Sequence, residues 1–172
     1  MSENLYIMGN FAAPSTTAPA PVSSGTAGSP CVMLQLATPA SGTRQFCIVE
    51  YGVSMTGVPS GASLLLRQTP TAATLGTAGT ILPYSNMNAP TSLAPSATTT
   101  SAWQSAGATI APAGTSGMVY DAQILSTNTY IKQFPLAREP QVGTSGTQEF
   151  CQIVLTVPTT AVTVTCYIIW RE

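Results

Sequence analysis

The sequence predicts an all-β chain: an antiparallel β-sandwich, jelly-roll-like, with an extended N-terminal arm. Three observations lead there. Apolar residues alternate with a period of two in residues 44–55 and 161–171, the signature of a strand. Clusters of Gly, Pro, Ser and Thr punctuate the chain between short apolar runs, as turns do. No segment carries an apolar stripe of period 3.6, and "TTTSAWQSAG" gives one helical turn at most.

Residues 1–30 read as the arm. "APSTTAPAPVSSGTAGSP" has prolines at 14, 19, 21 and 30. Each fixes φ and removes a donor, so the stretch is extended and bonds little to itself. The "LYIMGNF" before it is apolar enough to dock, and an arm with such a tip is expected to lie across a neighbouring copy. Tyr6 and Phe11 are its contact residues.

Residues 31–172 read as one domain. "CVMLQLA" (31–37) is a strand too short for a helix. In "RQFCIVEYGVSM" (44–55) Cys47, Val49, Tyr51, Val53 and Met55 are expected on one face, with Phe46, Ile48 and Glu50 on the other. "ASLLLRQ" (62–68) follows the turn cluster "TGVPSG", and "TILPY" (80–84) is a weaker strand. "GMVYDAQILS" (117–126), "TYIKQF" (129–134), "QEFCQIVLTV" (148–157) and "AVTVTCYIIWR" (161–171) complete a set of about eight, the number of a sandwich or jelly roll. "PTT" between the last two predicts a hairpin. The final strand is apolar on both faces, Val162, Val164, Cys166, Ile168 and Trp170 on one and Thr163, Thr165, Tyr167 and Ile169 on the other. Such a strand is expected to be buried on both, inside the sandwich or at a subunit interface. Residues 85–116 form a long uncharged loop, of a length that binds or drapes over a surface. Trp103 is its aromatic anchor, capping the domain's own core or touching a partner.

Composition narrows function. Only 6% of the 172 residues are charged, with no charge from Asn4 to Thr43 or from Gln68 to Tyr120. An average globular chain carries about 25%. So little charge does not keep copies apart and suits a protein packed at high density against itself or a partner. Five scattered basic residues and a net charge of −1 argue against nucleic acid as a partner. The N-terminus lacks a basic start and a continuous apolar core, so no signal peptide is expected. No apolar run reaches the roughly 18 residues of a membrane span. The expectation is a soluble chain made in a cytoplasm, with no membrane partner.

Chemistry is hard to build from these residues. There is no His to serve a Ser or Cys nucleophile. Cys31, Cys47, Cys151 and Cys166 show no C-x-x-C spacing and read as small apolar strand residues with free thiols. A carboxylate pair would come from Glu3, Glu50, Asp121, Glu139, Glu149 and Glu172. Glu50 and Asp121 lie in strands where they can face each other, or pair with Arg44 or Arg67. "GTAGT" (76–80) precedes no helix and carries no Lys, so it is no phosphate cradle. No enzyme activity and no cofactor or metal is expected.

One segment keeps its charge. "QFPLAREPQV" (133–142) holds two prolines, an Arg and a Glu. Pro135 and Pro140 restrict Phe134 and Glu139 to extended geometry. Phe134 and Leu136 are expected to bury while Lys132, Arg138 and Glu139 pair nearby, in a rigid linking loop or an inter-subunit contact.

"YDAQILSTNTYIKQFPLAREPQV" and the terminal "CQIVLTVPTTAVTVTCYIIWRE", with "CVMLQLATPASGTRQFCIVEYGVSMTG" upstream, resemble a family of small tailed-phage virion proteins. Members carry a "QFPL-REPEV"-like segment and a terminal "Y-I-W-E" strand, and the likeness covers most of residues 31–172. It implies a jelly-roll-like capsid decoration (cement) protein on the outer surface of a phage head. The implied partners are itself, as a homotrimer, and the major capsid protein. A head- or tail-fibre module binding host glycan is the alternative, with Tyr84 or Trp103 in contact.

Overall fold

A computed structural model describes residues 5–9, 22–39, 45–57, 61–73, 85–86, 117–143 and 146–172. Among them are eleven strands and no helix. Eight strands have five or more residues: β1 (Leu5–Gly9), β3 (Cys31–Ala37), β4 (Phe46–Met55), β5 (Ala62–Thr69), β7 (Met118–Leu125), β8 (Thr129–Gln133), β10 (Phe150–Thr156) and β11 (Thr163–Arg171). Three are two-residue pieces: β2 (Val22–Ser23), β6 (Ser85–Asn86) and β9 (Gln141–Val142).

Two antiparallel sheets pack together as a β-sandwich. The first runs β6-β1-β11-β4-β8, with β2 added to β11 and β9 to β4, and the second runs β3-β10-β5-β7. The core lies between them. Ile48, Tyr51, Val53, Val164, Cys166, Ile168 and Trp170 of the first sheet meet Leu34, Leu64, Leu66, Ile153 and Leu155 of the second. Alternation makes this possible, because every second side chain of a strand points to the same face.

Seven of the expected strands are present within two residues of their expected ends, and "TILPY" (80–84) lies outside the described residues. The expected terminal hairpin is not formed. β10 pairs with β3 and β5, whereas β11 pairs with β1, β2 and β4. The connection crosses from one sheet to the other. Its backbone is satisfied by residues 24–28: the Ser24 and Gly28 amides donate to the Val162 and Val157 carbonyls (2.7 and 2.6 Å). Ser24 Oγ accepts from the Val162 amide at 3.0 Å.

β4 also departs from its expected faces. The β11 register steps from Glu50 to Ile48, leaving Val49 as an extra residue. A bulge of this kind shifts the phase of a strand by one. Phe46 and Ile48 therefore join Tyr51, Val53 and Met55 in the core, while Cys47 and Val49 are only half-buried.

Within one chain the last strand is fully buried on one face and half-buried on most of the other. Val164, Cys166, Ile168 and Trp170 are fully buried, while Thr165, Tyr167 and Ile169 are half-buried and Thr163 is exposed. The second sheet hides polar groups on its outer side. Arg67 on β5 donates Nε and Nη2 to Gln152 Oε1 (3.0 and 2.9 Å). Gln152 Nε2 donates on to Gln35 Oε1 at 2.6 Å, and the Ala73 amide donates to that same oxygen at 2.9 Å. This ladder crosses three strands and leaves the buried amide oxygens paired, as burial of polar groups requires.

Candidate functional site

The features that distinguish this sandwich gather where β7 ends one sheet and β8 the other. The "STN" turn (126–128) joins these two edge strands. Asp121 on β7 points between the sheets. Tyr51 on β4 and Tyr130 on β8 each donate a hydroxyl to its Oδ2 at 2.8 Å. Gln123 Nε2 donates to Oδ1, also at 2.8 Å. The carboxylate thus bolts the two sheets together at their open edge. A second bolt is the Tyr120 hydroxyl, which donates to the Gln141 carbonyl of β9 at 2.7 Å.

Electrostatics keep this knot in one protonation state. Burial pushes the Asp121 carboxyl up, but hydrogen bonds from Gln123, Tyr130 and Tyr51, with the Lys132 charge, outweigh it and hold the group below its ordinary value. Burial first, and then the bond to Asp121, raises Tyr51 far above its ordinary value and Tyr130 to about 12. A carboxylate held ionised beside phenols held neutral is a latch with little tendency to move protons. Glu50 does not join it. It lies on the outer face of its sheet, where its Oε1 accepts the Tyr167 hydroxyl at 2.6 Å, so of the alternatives the sequence left open, Glu50 and Asp121 do not face each other.

Residues 134–140 leave the sheet as a projecting loop between β8 and β9, both of which pair with β4. Its two ends are tied to the β4 bulge. The Phe134 amide donates to the Val49 carbonyl and the Ile48 amide to the Pro140 carbonyl, both at 2.9 Å. At the tip the Arg138 amide donates to the Pro135 carbonyl at 2.9 Å, closing a turn. Ala137 in that turn has φ 65°, a left-handed conformation that costs a non-glycine residue about 1 kcal/mol.

The interface residues expected from sequence fall differently. Tyr6 is buried inside this chain, 2% exposed, with its ring stacked on Trp170 at 5.5 Å. The alternation of β1 sends Tyr6 and Met8 inward together, so Tyr6 serves the core rather than a neighbour. Phe134 is half-buried against Tyr51, with ring centroids 6.4 Å apart. Lys132 Nζ lies 5.9 Å from the Phe134 ring centre. Arg138 and Glu139 do not pair with each other. Adjacent residues of an extended segment point apart, so Glu139 turns inward to Arg171 Nη2 at 3.3 Å while Arg138 faces solvent. Leu136, expected to bury, is 83% exposed. Phe11 and Trp103 lie outside the described residues.

Sequence reasoning missed the residues that matter most here. Among the described residues the large hydrophobics left exposed are Met118, Val119, Ile124, Ile131 and Leu136. All five fall within 19 consecutive positions (118–136) spanning β7, β8 and the loop tip. The signal was an inverted alternation: Tyr130 and Lys132 turn inward to serve Asp121, which sends Ile131 out. Beside Ile131, on the outer face of the sheet, is a hollow of about 210 Å³ lined by Gly52, Val53, Ser54, Thr129, Ile131, Thr165 and Tyr167. Its accessible wall is almost entirely carbon. Gly52 lets the Tyr167 ring lie against β4 as one wall of the hollow, because a Cβ there would sit 2.7 Å from Tyr167 Cζ. No group of three or more metal-ligating side chains occurs among the described residues. No helix of the described residues is long and apolar enough to cross a membrane.

No protein-family model, curated protein or solved structure matches the chain.

Proposed function

We propose that this chain is a structural virion protein, a decoration (cement) protein that binds the outer head surface of a tailed phage as a homo-oligomer. The observation that carries the proposal is that, among the described residues, the exposed large apolar side chains are confined to one edge, residues 118–136. A chain with 6% charge that exposes large apolar side chains on two bolted edge strands is suited to docking. The resemblance of "QFPLAREPQV" and the terminal strand to phage virion proteins gives the docking its setting. Strand order supports the jelly-roll expectation: the eight longer strands stand in the order first, eleventh, fourth, eighth in one sheet and third, tenth, fifth, seventh in the other. That interleaving of sequence-distant strands is what two nested Greek keys produce.

The mechanism is burial of apolar surface across junctions between capsid subunits. A specific contact buries about 1,600 Å² in total, and attachment of one oligomer at several points adds avidity without new contacts. Binding that selects the expanded shell stabilises that state by mass action. The glycan-binding alternative gains little from the hollow, whose carbon wall offers few partners for sugar hydroxyls.

The test is addition of purified protein to expanded heads and to immature shells, followed by heating. The expected result is binding to expanded heads and a raised bursting temperature, both lost with Ile124→Asp while the β circular-dichroism spectrum is kept. Equal bursting temperatures with and without the protein would remove the reading, and glycan-array binding would put the alternative in its place.

A further inference from the structure

The Leu136 tip is an exposed aliphatic side chain and the Tyr167 hollow an apolar recess, and β8 carries one near each of its ends. Leu136 follows β8 by three residues, whereas Thr129 and Ile131, which line the hollow, stand at the start and middle of β8. We propose that they are the two halves of one contact between copies of this chain, Leu136 of one copy seating in the hollow of the next. This rests on the homo-oligomeric part of the reading above and names its contact.

Four observations support a second copy as the occupant. The hollow of about 210 Å³ exceeds the roughly 150 Å³ that accommodates a benzene ring in an engineered cavity, so a leucine side chain fits. Its accessible wall is carbon, matching an aliphatic knob and no polar group. The knob is held ready: two prolines flank it, the turn behind it carries Ala137 at φ 65°, and both loop ends are bonded to β4. Backbone strain kept at an exposed tip is a mark of function, and a pre-ordered loop loses little freedom on binding. Finally, the charges match. Arg138 stands two residues from the knob and faces solvent, while Glu50 flanks the hollow through its bond to Tyr167. A net charge of −1 places no general repulsion between copies.

The contact is heterologous, because each copy offers its knob to one neighbour and its hollow to another. Such contacts generate rings when the rotation closes.

Mixing of two defective full-length chains tests the geometry. Leu136→Asp removes the knob and leaves the hollow; Ile131→Asp spoils the hollow and leaves the knob. Both positions are exposed, so both variants keep the fold, which circular dichroism checks. In sedimentation velocity the wild type self-associates, and each variant alone does so roughly 10- to 100-fold more weakly, as expected for losing a central anchor. Mixed, they form a one-to-one complex that grows no further, because one good knob meets one good hollow. Arg138→Glu weakens association, and Glu50→Lys in the same chain restores it. Wild-type association by Leu136→Asp, or a mixture that stays monomeric, overturns the contact. A wild-type chain that is monomeric alone yet protects heads overturns the contact and leaves the decoration reading standing. Association through Leu136 in a chain that ignores heads does the reverse.

Discussion

Asp121 ties the sheets together with one carboxylate, so its protonation weakens the open edge of the sandwich. Its carboxyl lies below the ordinary 3.8, while the unfolded chain titrates near 3.9. A group depressed in the fold contributes stability fully present above the unfolded value and lost as pH falls through the folded one. Wild-type stability should therefore fall from pH 5 to pH 3 more steeply than that of Asp121→Asn. At pH 7 the same substitution should cost about 1 to 2 kcal/mol, because two phenols and an amide lose a charged acceptor for a neutral one. Urea melts across that pH range check both, and parallel pH profiles would show that the carboxylate bears no such load. The cysteines give a second test at this scale. None of the four is in a disulfide, with Cys31, Cys151 and Cys166 buried and Cys47 half-buried on the outer face beside the bulge. Burial pushes the Cys151 and Cys166 thiols far above their ordinary value, and only a thiolate reacts quickly. A native thiol titration should find one fast group, abolished by Cys47→Ser, and a denatured one should find four.

β1 shows how far an element could be read from the sequence. "LYIMG" carries the alternation of a strand, yet five residues beside a proline-rich stretch give no sign of which partner they meet. It pairs with the two-residue β6 on one side and along its whole length with β11 on the other, at a separation of more than 150 residues, with Tyr6 opposite Trp170 and Met8 opposite Ile168. Strand existence was legible wherever alternation was strong, as in 46–55 and 163–171. Pairing was not, because a short loop between two apolar strands looks the same whether it turns within a sheet or crosses between sheets. The Val49 bulge was hidden for a similar reason: both phases of "FCIVEYGV" offer apolar residues, so composition could not fix where the phase changes. The apolar edge at 118–136 stayed illegible until Asp121 was known to draw Tyr130 inward and leave Ile131 outside. The β1 assignment predicts that Tyr6→Ala destabilises the domain itself by about 3 to 5 kcal/mol, the usual loss for an aromatic core truncation. It also predicts a red-shifted Trp170 emission as its stacked cover is lost, read in the single-tryptophan background Trp103→Phe. A variant with unchanged stability and weaker self-association would return Tyr6 to an interface role.

Across the whole molecule the scarcity of charge decides which force holds copies together. Eleven ionisable charges in 172 residues, with Glu139 and Arg171 already paired internally, leave few groups for an electrostatic interface. The one cross-copy pair inferred here, Arg138 with Glu50, joins an exposed guanidinium to a half-buried carboxylate, and such pairs contribute about 0 to 1 kcal/mol. Raising salt from 0.1 M to 1 M shortens the screening length from about 10 Å to about 3 Å. That change should remove at most this one contribution, so the association constant should fall by less than about fivefold. Sulfate should strengthen association, since it favours burial of apolar surface. Association should also show a negative heat-capacity change, the mark of apolar surface leaving water. Sedimentation in chloride and sulfate series, with calorimetric dilution at two temperatures, measures all three. A loss of affinity of tenfold or more in 1 M chloride would mean that charge, and not the apolar edge at 118–136, brings the copies together. The scattered Lys and Arg, and not Leu136, would then be the residues on which assembly turns.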